Sequence, residues 1–388
     1  MRVFLIAGEP SGDALGGALM AGLRSLVPDV RFDGIGGARM TAAGLVSRFP
    51  MEELSVMGIA EVLPRYAHLM RRIKETAAAV AETRPDVLIT IDSPDFAFRV
   101  ARRVKAASDV RIVHYVAPTV WAWRPGRARK VAAFIDQVLT LFPFEPRYFK
   151  AVGLRADFVG HPVVAEPVAT EAETAAFRLR HGLGEAPLLL VLPGSRRGEV
   201  QRLAPVFGET VRAVLGARPE VRVVVPAAGP VAGLVRGAVA DWPGAPLVID
   251  PARDRDGSDK RAAFRAADVA LAASGTVSLE LAAADTPMVI AYDMAWLSRQ
   301  IIGRMLLVDT VTLVNLVSET RVVPEFLGPR CRPDLIAPAL LGLLEAPGAQ
   351  AEALTVTMER LGRGGEAPGL RAARAVLEGL GMGAARTP

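Results

Sequence analysis

This sequence predicts an α/β fold of two doubly wound halves with parallel sheets and a cleft between them, and three observations predict it. Short runs of Val, Leu and Ile recur between helix-prone segments along 388 residues. That pattern belongs to parallel strands covered on both faces by helices. The length exceeds one ordinary domain and makes two the natural expectation. Hydrophobic residues reach 51% against 22% charged, enough to fill two cores.

The elements follow in order. Val3–Ala7 reads as a buried strand and Asp13–Leu26 as a helix. Val87–Ile91 is a strand, Ala97–Ala107 a helix, and Val110–Val116 and Val138–Leu141 are further strands. Pro162–Glu173, with Pro167, Glu166 and Glu171 inside it, reads as a linker. Beyond it, Leu188–Leu192, Val221–Val225, Pro246–Ile249, Val269–Ala272 and Met288–Tyr292 are strands with helices between. The expected division is 1–165, 166–350, and a helical segment with a tail, 351–388, able to cross back to the first domain. Ligands should sit in a cleft at the carboxyl ends of the strands.

Composition narrows the partners. A pI near 9.7 and a net charge of +5 favour phosphates or anionic lipid. Nucleic acid fits poorly, because the cations are scattered and only 6% of residues are aromatic. The single cysteine, Cys331, excludes an internal disulfide and a cysteine metal cluster. Met1–Pro10 is too short and too soon interrupted for a signal peptide, and no apolar run approaches the roughly 20 residues of a spanning helix. The expected place is the cytoplasm, with contact to a membrane surface allowed.

Chemistry-bearing residues gather where strands should end. After Val269–Ala272 comes Ala273-Ser274-Gly275-Thr276, and Val277–Ala284 is helix-prone. Ser274 is a good N-cap, and such a corner directs free N–H groups and a helix dipole at solvent, which suits an anion. Thr276 and Glu280, four apart, share a face. A hydroxyl there can meet a phosphate, and the carboxylate can accept from two ribose hydroxyls. An ordinary capped helix with a surface Glu shows the same spacing. Leu188–Leu192 enters Pro193-Gly194-Ser195-Arg196, where Ser195 and Arg196 suit a phosphate or oxyanion at a helix start; a solvated Arg on a capped helix is the plain alternative. No Gly-Lys-Ser/Thr run follows, so this is not a P-loop. Asn315, between apolar neighbours, is usually a turn former.

In the first half, Gly8–Asp13 follows the first strand. Its glycines allow close approach to a ligand, and Ser11 or Asp13 can cap the next helix. No G-x-G-x-x-G appears, which disfavours a dehydrogenase. Gly34–Gly37 is a tight glycine turn. Asp92 and Asp95 lie three apart at a strand end. A carboxylate held against a partner and an apolar wall is raised toward a useful general base, and either residue can instead cap a helix. His114 leads into Trp121-Ala122-Trp123-Arg124, with Arg127, Arg129 and Lys130 following. Aromatic faces and cations suit a glycan bearing phosphate. His114 by itself is more often a core histidine.

Ala7–Asp13, Ile91–Phe96, His114–Lys130, Phe158–Val163, Leu192–Val200, Ser274–Val289, Asn315 and Val323–Phe326 together resemble the bacterial lipid-A-disaccharide synthases. The likeness runs in order to about Leu327, and Trp121–Arg124 and Pro193–Arg196 are its most specific parts. It implies the GT-B architecture of two facing Rossmann-like domains, and inverting, metal-independent glycosyl transfer without a cofactor. UDP-2,3-diacylglucosamine would be joined to 2,3-diacylglucosamine 1-phosphate, giving a β-1,6-linked disaccharide 1-phosphate and UDP. It implies Asp95 as the base with Asp92 second. Arg196 and the Ser274–Thr276 corner would face the leaving UDP, Glu280 the ribose, and Ser11 the acceptor. Ser195, Asn315, His114, Trp123 and Arg124 join the substrate-binding set. Asp254 and Asp256 have metal-motif spacing but lie in a charged loop and are set aside. The same nucleotide pocket would serve a UDP-N-acetylglucosamine 2-epimerase or a soluble glycosyltransferase, and a non-catalytic two-domain binding protein would not need Asp95. The chain is expected to be a monomer or homodimer.

The diacyl substrates direct attention to residues 55–74. Met57, Ile59, Val62, Leu63, Tyr66, Leu69, Met70 and Ile73 form an apolar surface flanked by Arg65, Arg71, Arg72 and Lys74. That suits an amphipathic element on the anionic cytoplasmic face of an inner membrane. A helix packed inside the first domain would show much the same spacing.

Overall fold

The apolar runs become the interiors of two parallel sheets. The protein's computed structural model describes residues 1–54, 59–122, 125–294 and 307–382, without the side chains of 59–65. Two units result, Met1–Ala165 with Gly364–Pro388, and Glu166–Arg363. Among the described residues the first holds β1 (Arg2–Ala7), β2 (Arg31–Ile35), β3 (Val87–Ile91), β4 (Arg111–Tyr115), β5 (Gln137–Thr140) and β6 (Arg155–Phe158), in the order β2-β1-β3-β4-β5-β6. The second holds β7 (Leu188–Leu192), β8 (Arg222–Pro226), β9 (Leu247–Ile249), β10 (Val269–Ala272), β11 (Met288–Tyr292) and β12 (Glu325–Leu327), in the order β12-β11-β10-β7-β8-β9. Every expected strand forms, each within a residue of its expected bounds. β3, β7 and β10 are buried at every position, which is why they read as apolar runs, broken only by Thr90 in β3. Each such Val, Leu or Ile contributes about 1.5–3 kcal/mol by leaving water.

Strand order fixes where loops can bind. In the first sheet the chain leaves β1 toward β2, then returns to build β3 on β1's other side, so the topological switch lies between β1 and β3. In the second it lies between β7 and β10. Ala7 pairs with Ile91 and Ile91 with Tyr115, so the loops after β1, β3 and β4 leave the sheet at one level. Leu192 pairs with Ala272, which does the same for the loops after β7 and β10.

Helices α1 (Pro10–Leu26), α2 (Ala38–Ala42), α3 (Ile59–Thr83), α4 (Pro94–Ala107) and α5 (Gly126–Ala132) cover the first sheet. α1 starts three residues before its expected bound, with Pro10 at the first position, where its missing N–H costs nothing. Ser11 and Asp13 therefore lie inside the helix and do not cap it. Asp13 is buried and instead accepts from the backbone N–H groups of Gly37, Arg39 and Met40 at 2.8, 2.9 and 3.0 Å, capping α2. The helix Ala351–Leu361 stays in the second unit, packed on Leu313–Ser318. Pro368–Gly379 belongs to the first unit and crosses α1 closely: a Cβ on Gly22 would lie 2.7 Å from the Gly369 carbonyl oxygen. Gln137 of β5 donates to the Ala375 carbonyl at 2.8 Å, tying the same helix to the sheet.

Candidate active site

At the switch between β1 and β3 the backbone is strained. Asp92, Ser93 and, beside them after β4, Val116 have φ of 52°, 44° and 77°. Non-glycine residues rarely adopt such angles, and a β-branched valine hardly ever. Each costs on the order of 1–3 kcal/mol, and such strain collects at functional sites. The β1 loop presses in as well: a Cβ on Gly8 would meet Ser93 Oγ at 2.5 Å, so only glycine fits. Ser11 is exposed on the first turn of α1.

The two aspartates have different surroundings. Asp92 is half-buried, and that burial pushes its carboxyl above the usual range, opposed by the Ser93 backbone N–H. The expected rise thus falls on Asp92 and comes from desolvation rather than from Asp95. Neither aspartate is the N-cap of α4; Ser93 holds that position in a left-handed conformation. Asp95 is exposed and lines a pocket of about 650 Å³ between α4 and α5, with Phe98, Arg99, Arg102, Arg127 and Lys130.

His114 is 1% exposed, with Nδ1 2.8 Å from Thr90 Oγ1 and its ring edge-on to Phe98. Burial, with help from the Arg127 charge, holds its pKa down at about 3. It is a neutral core histidine beneath the pocket wall, not a group that reaches a substrate. Trp121 is also buried. Its Nε1–H donates to Glu145 Oε1 at 3.2 Å, and the backbone N–H groups of Leu141 and Phe142 donate to Oε2 at 3.0 Å each. Glu145, 3% exposed, is raised by burial to about 7 against those bonds. It pins the tryptophan loop to the end of β5, and sequence reasoning passed over it. Trp123 and Arg124 lie outside the described residues.

In the second unit the corner after β10 leaves Ser274 half-buried and Gly275 and Thr276 exposed. The cap is Thr276, not Ser274, and it makes no side-chain cap bond; Ser278 Oγ donates to the Gly275 carbonyl instead. The helix Val277–Ala283 has seven residues, one fewer than the sequence suggested. Glu280 is half-exposed, and Lys260 Nζ lies 2.5 Å from its Oε2. Lys260 comes from the far end of the charged loop set aside above, which here is the start of the helix Ser258–Ala266. In that loop Asp254 accepts from the backbone of Asp259 and Lys260, a helix-capping use.

Across the β7/β10 switch, Ser195 and Arg196 are exposed. Their backbone N–H groups are taken by Glu199, whose Oε2 accepts from both at 3.0 and 3.2 Å. The internal carboxylate holds the spot expected for an external anion, leaving the Arg196 side chain as the exposed cationic element. Arg196 Nη1 lies 3.3 Å from Glu199 Oε1 with most of its side chain in water. Asn315 is 1% exposed and fully used: Nδ2 donates to the Val323 carbonyl at 2.9 Å, and Oδ1 accepts from Val323 N–H at 3.1 Å. It braces the helix Leu313–Ser318 rather than facing a ligand.

Of the apolar surface on α3, Tyr66 is 48% exposed and Leu69 and Met70 are partly exposed, while Ile73 is fully buried and cannot touch a membrane. Met57 and the side chains of Ile59, Val62 and Leu63 lie outside the described residues. Arg72 is not free for lipid, since Glu53 and Glu75 hold it at 2.7 and 2.8 Å over the Phe49 ring. Among the described residues no helix is long and apolar enough to cross a membrane.

Comparison with known proteins decides among the readings. A family model described as lipid-A-disaccharide synthetase matches residues 3–366. The chain belongs to the lipid-A-disaccharide synthase family. The synthase of Ruegeria pomeroyi is 66% identical over 98% of this chain and 96% of its own length, and that of Rhodospirillum centenum 49% over 97% and 94%. Membership makes the chain a glycosyltransferase of lipid A biosynthesis. Solved structures agree on the fold. A UDP-GlcNAc 2-epimerase from Neisseria meningitidis bound to UDP-GlcNAc has a TM-score of 0.64 at 12% identity, covering 98% of this chain and 99% of that one. A sucrose-phosphate synthase from Thermosynechococcus elongatus has 0.59 at 15%, covering 97% and 98%.

Proposed function

We propose that the chain transfers 2,3-diacylglucosamine from UDP to the 6-hydroxyl of 2,3-diacylglucosamine 1-phosphate. The acceptor oxygen attacks the donor's anomeric carbon as the bond to the UDP oxygen breaks. A single displacement inverts that carbon, the hydroxyl proton passes to a carboxylate, and UDP leaves with its charge. Asp95 is the base, because it lies on the pocket wall where a hydroxyl can reach it, and geometry ranks ahead of pKa. Asp92, strained and half-buried, is the second choice. In the second unit, Ser274, Gly275 and Thr276 take the diphosphate and Glu280 the ribose. Ser195 flanks them, and the Arg196 guanidinium meets charge that grows on UDP in the transition state. Ser11, Trp123 and Arg124 serve the acceptor side. The protein works on the cytoplasmic face of the inner membrane, resting there through α3.

The carrying observation is the paired aspartates on the strained carboxyl end of β3, in a chain of this family. Incubation with both monosaccharide lipids in the presence of EDTA should give the disaccharide 1-phosphate by mass spectrometry, with stoichiometric UDP. Asp95→Asn should cost on the order of 10²–10⁴ in turnover while leaving UDP binding intact. Loss in Asp92→Asn alone would exchange the two roles. Epimerisation of UDP-N-acetylglucosamine without disaccharide would refute the proposal.

A further inference from the structure

The pocket beside Asp95 is lined by more positive charge than a sugar hydroxyl needs. Asp95, Arg99 and Arg102 recur at helical spacing on one face of α4, and Arg127 and Lys130 share a face of α5. Among the described residues none of these four cations is ion-paired to a carboxylate. Two are held by rings instead: Arg102 lies 4.4 Å over Phe134 and Arg127 5.7 Å over Phe98. Four like charges around one small cavity repel each other, and a bound dianion would relieve that repulsion. A phosphomonoester carries about −1.5 to −2 at pH 7 and three strong acceptor oxygens, which arginine meets in pairs.

What lies next to the pocket narrows the ligand further. Arg99 Nη1 reaches Met70 Sδ at 3.7 Å, so the cationic wall abuts the α3 face carrying Tyr66, Leu69 and Met70. Cations beside an apolar helix face fit an amphiphile with a phosphate head, better than a free sugar phosphate. The volume of about 650 Å³ falls within the usual range for a small-molecule site.

We infer that the α4–α5 pocket is the recognition site for the acceptor's phosphomonoester, with Arg99 and Arg102 on one wall and Arg127 and Lys130 on the other. The inference rests on the transfer reaction proposed above. It adds a reason for the orientation: the ring oxygen joins C1 to C5, which carries C6, so anchoring the 1-phosphate on the cations holds the 6-hydroxyl a sugar's width away, at Asp95.

The test uses the full chain with Arg102→Gln and Lys130→Gln, the second because among the described residues Lys130 has no ring contact to lose. Thermal melting confirms that both fold. Each variant is assayed with diacylglucosamine 1-phosphate and with its dephosphorylated counterpart. KM for the phosphorylated acceptor should rise on the order of tenfold to a hundredfold. KM for the UDP-sugar should stay put, and the preference for the phosphorylated acceptor should collapse toward one. Lys130→Arg should restore it. Unchanged preference in the variants overturns the inference even if wild type makes disaccharide. If wild type makes none, binding of the same two lipids in detergent micelles decides: phosphate-dependent binding that the variants lose upholds the site while the transfer reaction falls. A loss seen equally with both acceptors, in step with weaker binding to phosphatidylglycerol vesicles, would make the pocket a general membrane contact and overturn the inference.

Discussion

Glu145→Gln should give a stability difference from wild type that reverses sign with pH. The folded carboxyl is raised by burial from 4.5 to about 7. It binds its proton more tightly than the unfolded chain does, so its contribution is fully present below 4.5 and is lost as pH climbs to about 7. That rise is worth about 3 kcal/mol. Glutamine has the same shape and does not titrate. Its amide oxygen can serve the Leu141 and Phe142 N–H groups, but its NH₂ then faces the Trp121 N–H, donor against donor, at a cost of about 1–2 kcal/mol. The variant should therefore be less stable than wild type by up to about 1 kcal/mol near pH 5, where part of the contribution is already lost, and more stable by about 1–2 kcal/mol near pH 8. Urea titrations of both proteins across that range, followed by tryptophan emission and circular dichroism, measure the difference directly. A flat difference, or one that moves in wild type's favour as pH rises, would refute the reasoning.

Three other outcomes follow from the site. Glu280→Ala should weaken UDP by roughly 1.5–3 kcal/mol in calorimetry, while Arg196→Ala should lower turnover more than UDP affinity; small equal effects from both would leave only a capped helix and a surface arginine. Asn315→Ala should cost about 1–3 kcal/mol of stability by stranding the Val323 backbone, with KM for the UDP-sugar barely changed; a large KM change with normal melting would return Asn315 to the binding site. Replacing Tyr66 and Leu69 with Ser should reduce liposome binding at an unchanged melting temperature, whereas Ile73→Ser should lower the melting temperature, and lipid binding that ignores Tyr66 and Leu69 would rule out α3 as the contact.

How legible each part was depends on what its neighbours supply. Interior strands such as Val87–Ile91 announce themselves, because both faces must be apolar. The strands that went unseen, β2, β6 and β12, are all sheet edges. Arg31-Phe32-Asp33-Gly34-Ile35 and Arg155-Ala156-Asp157-Phe158 carry charges at positions an edge leaves in water, so no apolar run betrays them. In the site, positions at strand ends were readable because strand and helix patterns meet there. Which polar residue is consumed by packing was not. Asn315 and His114 look like ligand groups, and Asp13 like a cap for its own helix, until their partners are known; His114 and Asp13 find theirs 24 residues away, and Asn315 finds its own in Val323 beyond the helix it sits on. Lys260 was hidden by its acidic surroundings. Glu145 offered only a carboxylate ahead of a proline. The wall of cations on α4 was present as the spacing of residues 95, 99 and 102, but it means little until α5 is set against it.

The return of Pro368–Gly379 onto α1 has a consequence for how the protein is made. A ribosome releases the β-strands of the first unit early, then must translate the whole second unit before the closing helix emerges. At ordinary elongation speeds that interval is roughly 10–40 s. Through it, the α1 surface that will meet Gly369, Leu370 and Ala373 is bare. The first unit is thus begun first and finished last, and a nascent chain halted before its final helix leaves its opening domain unsealed.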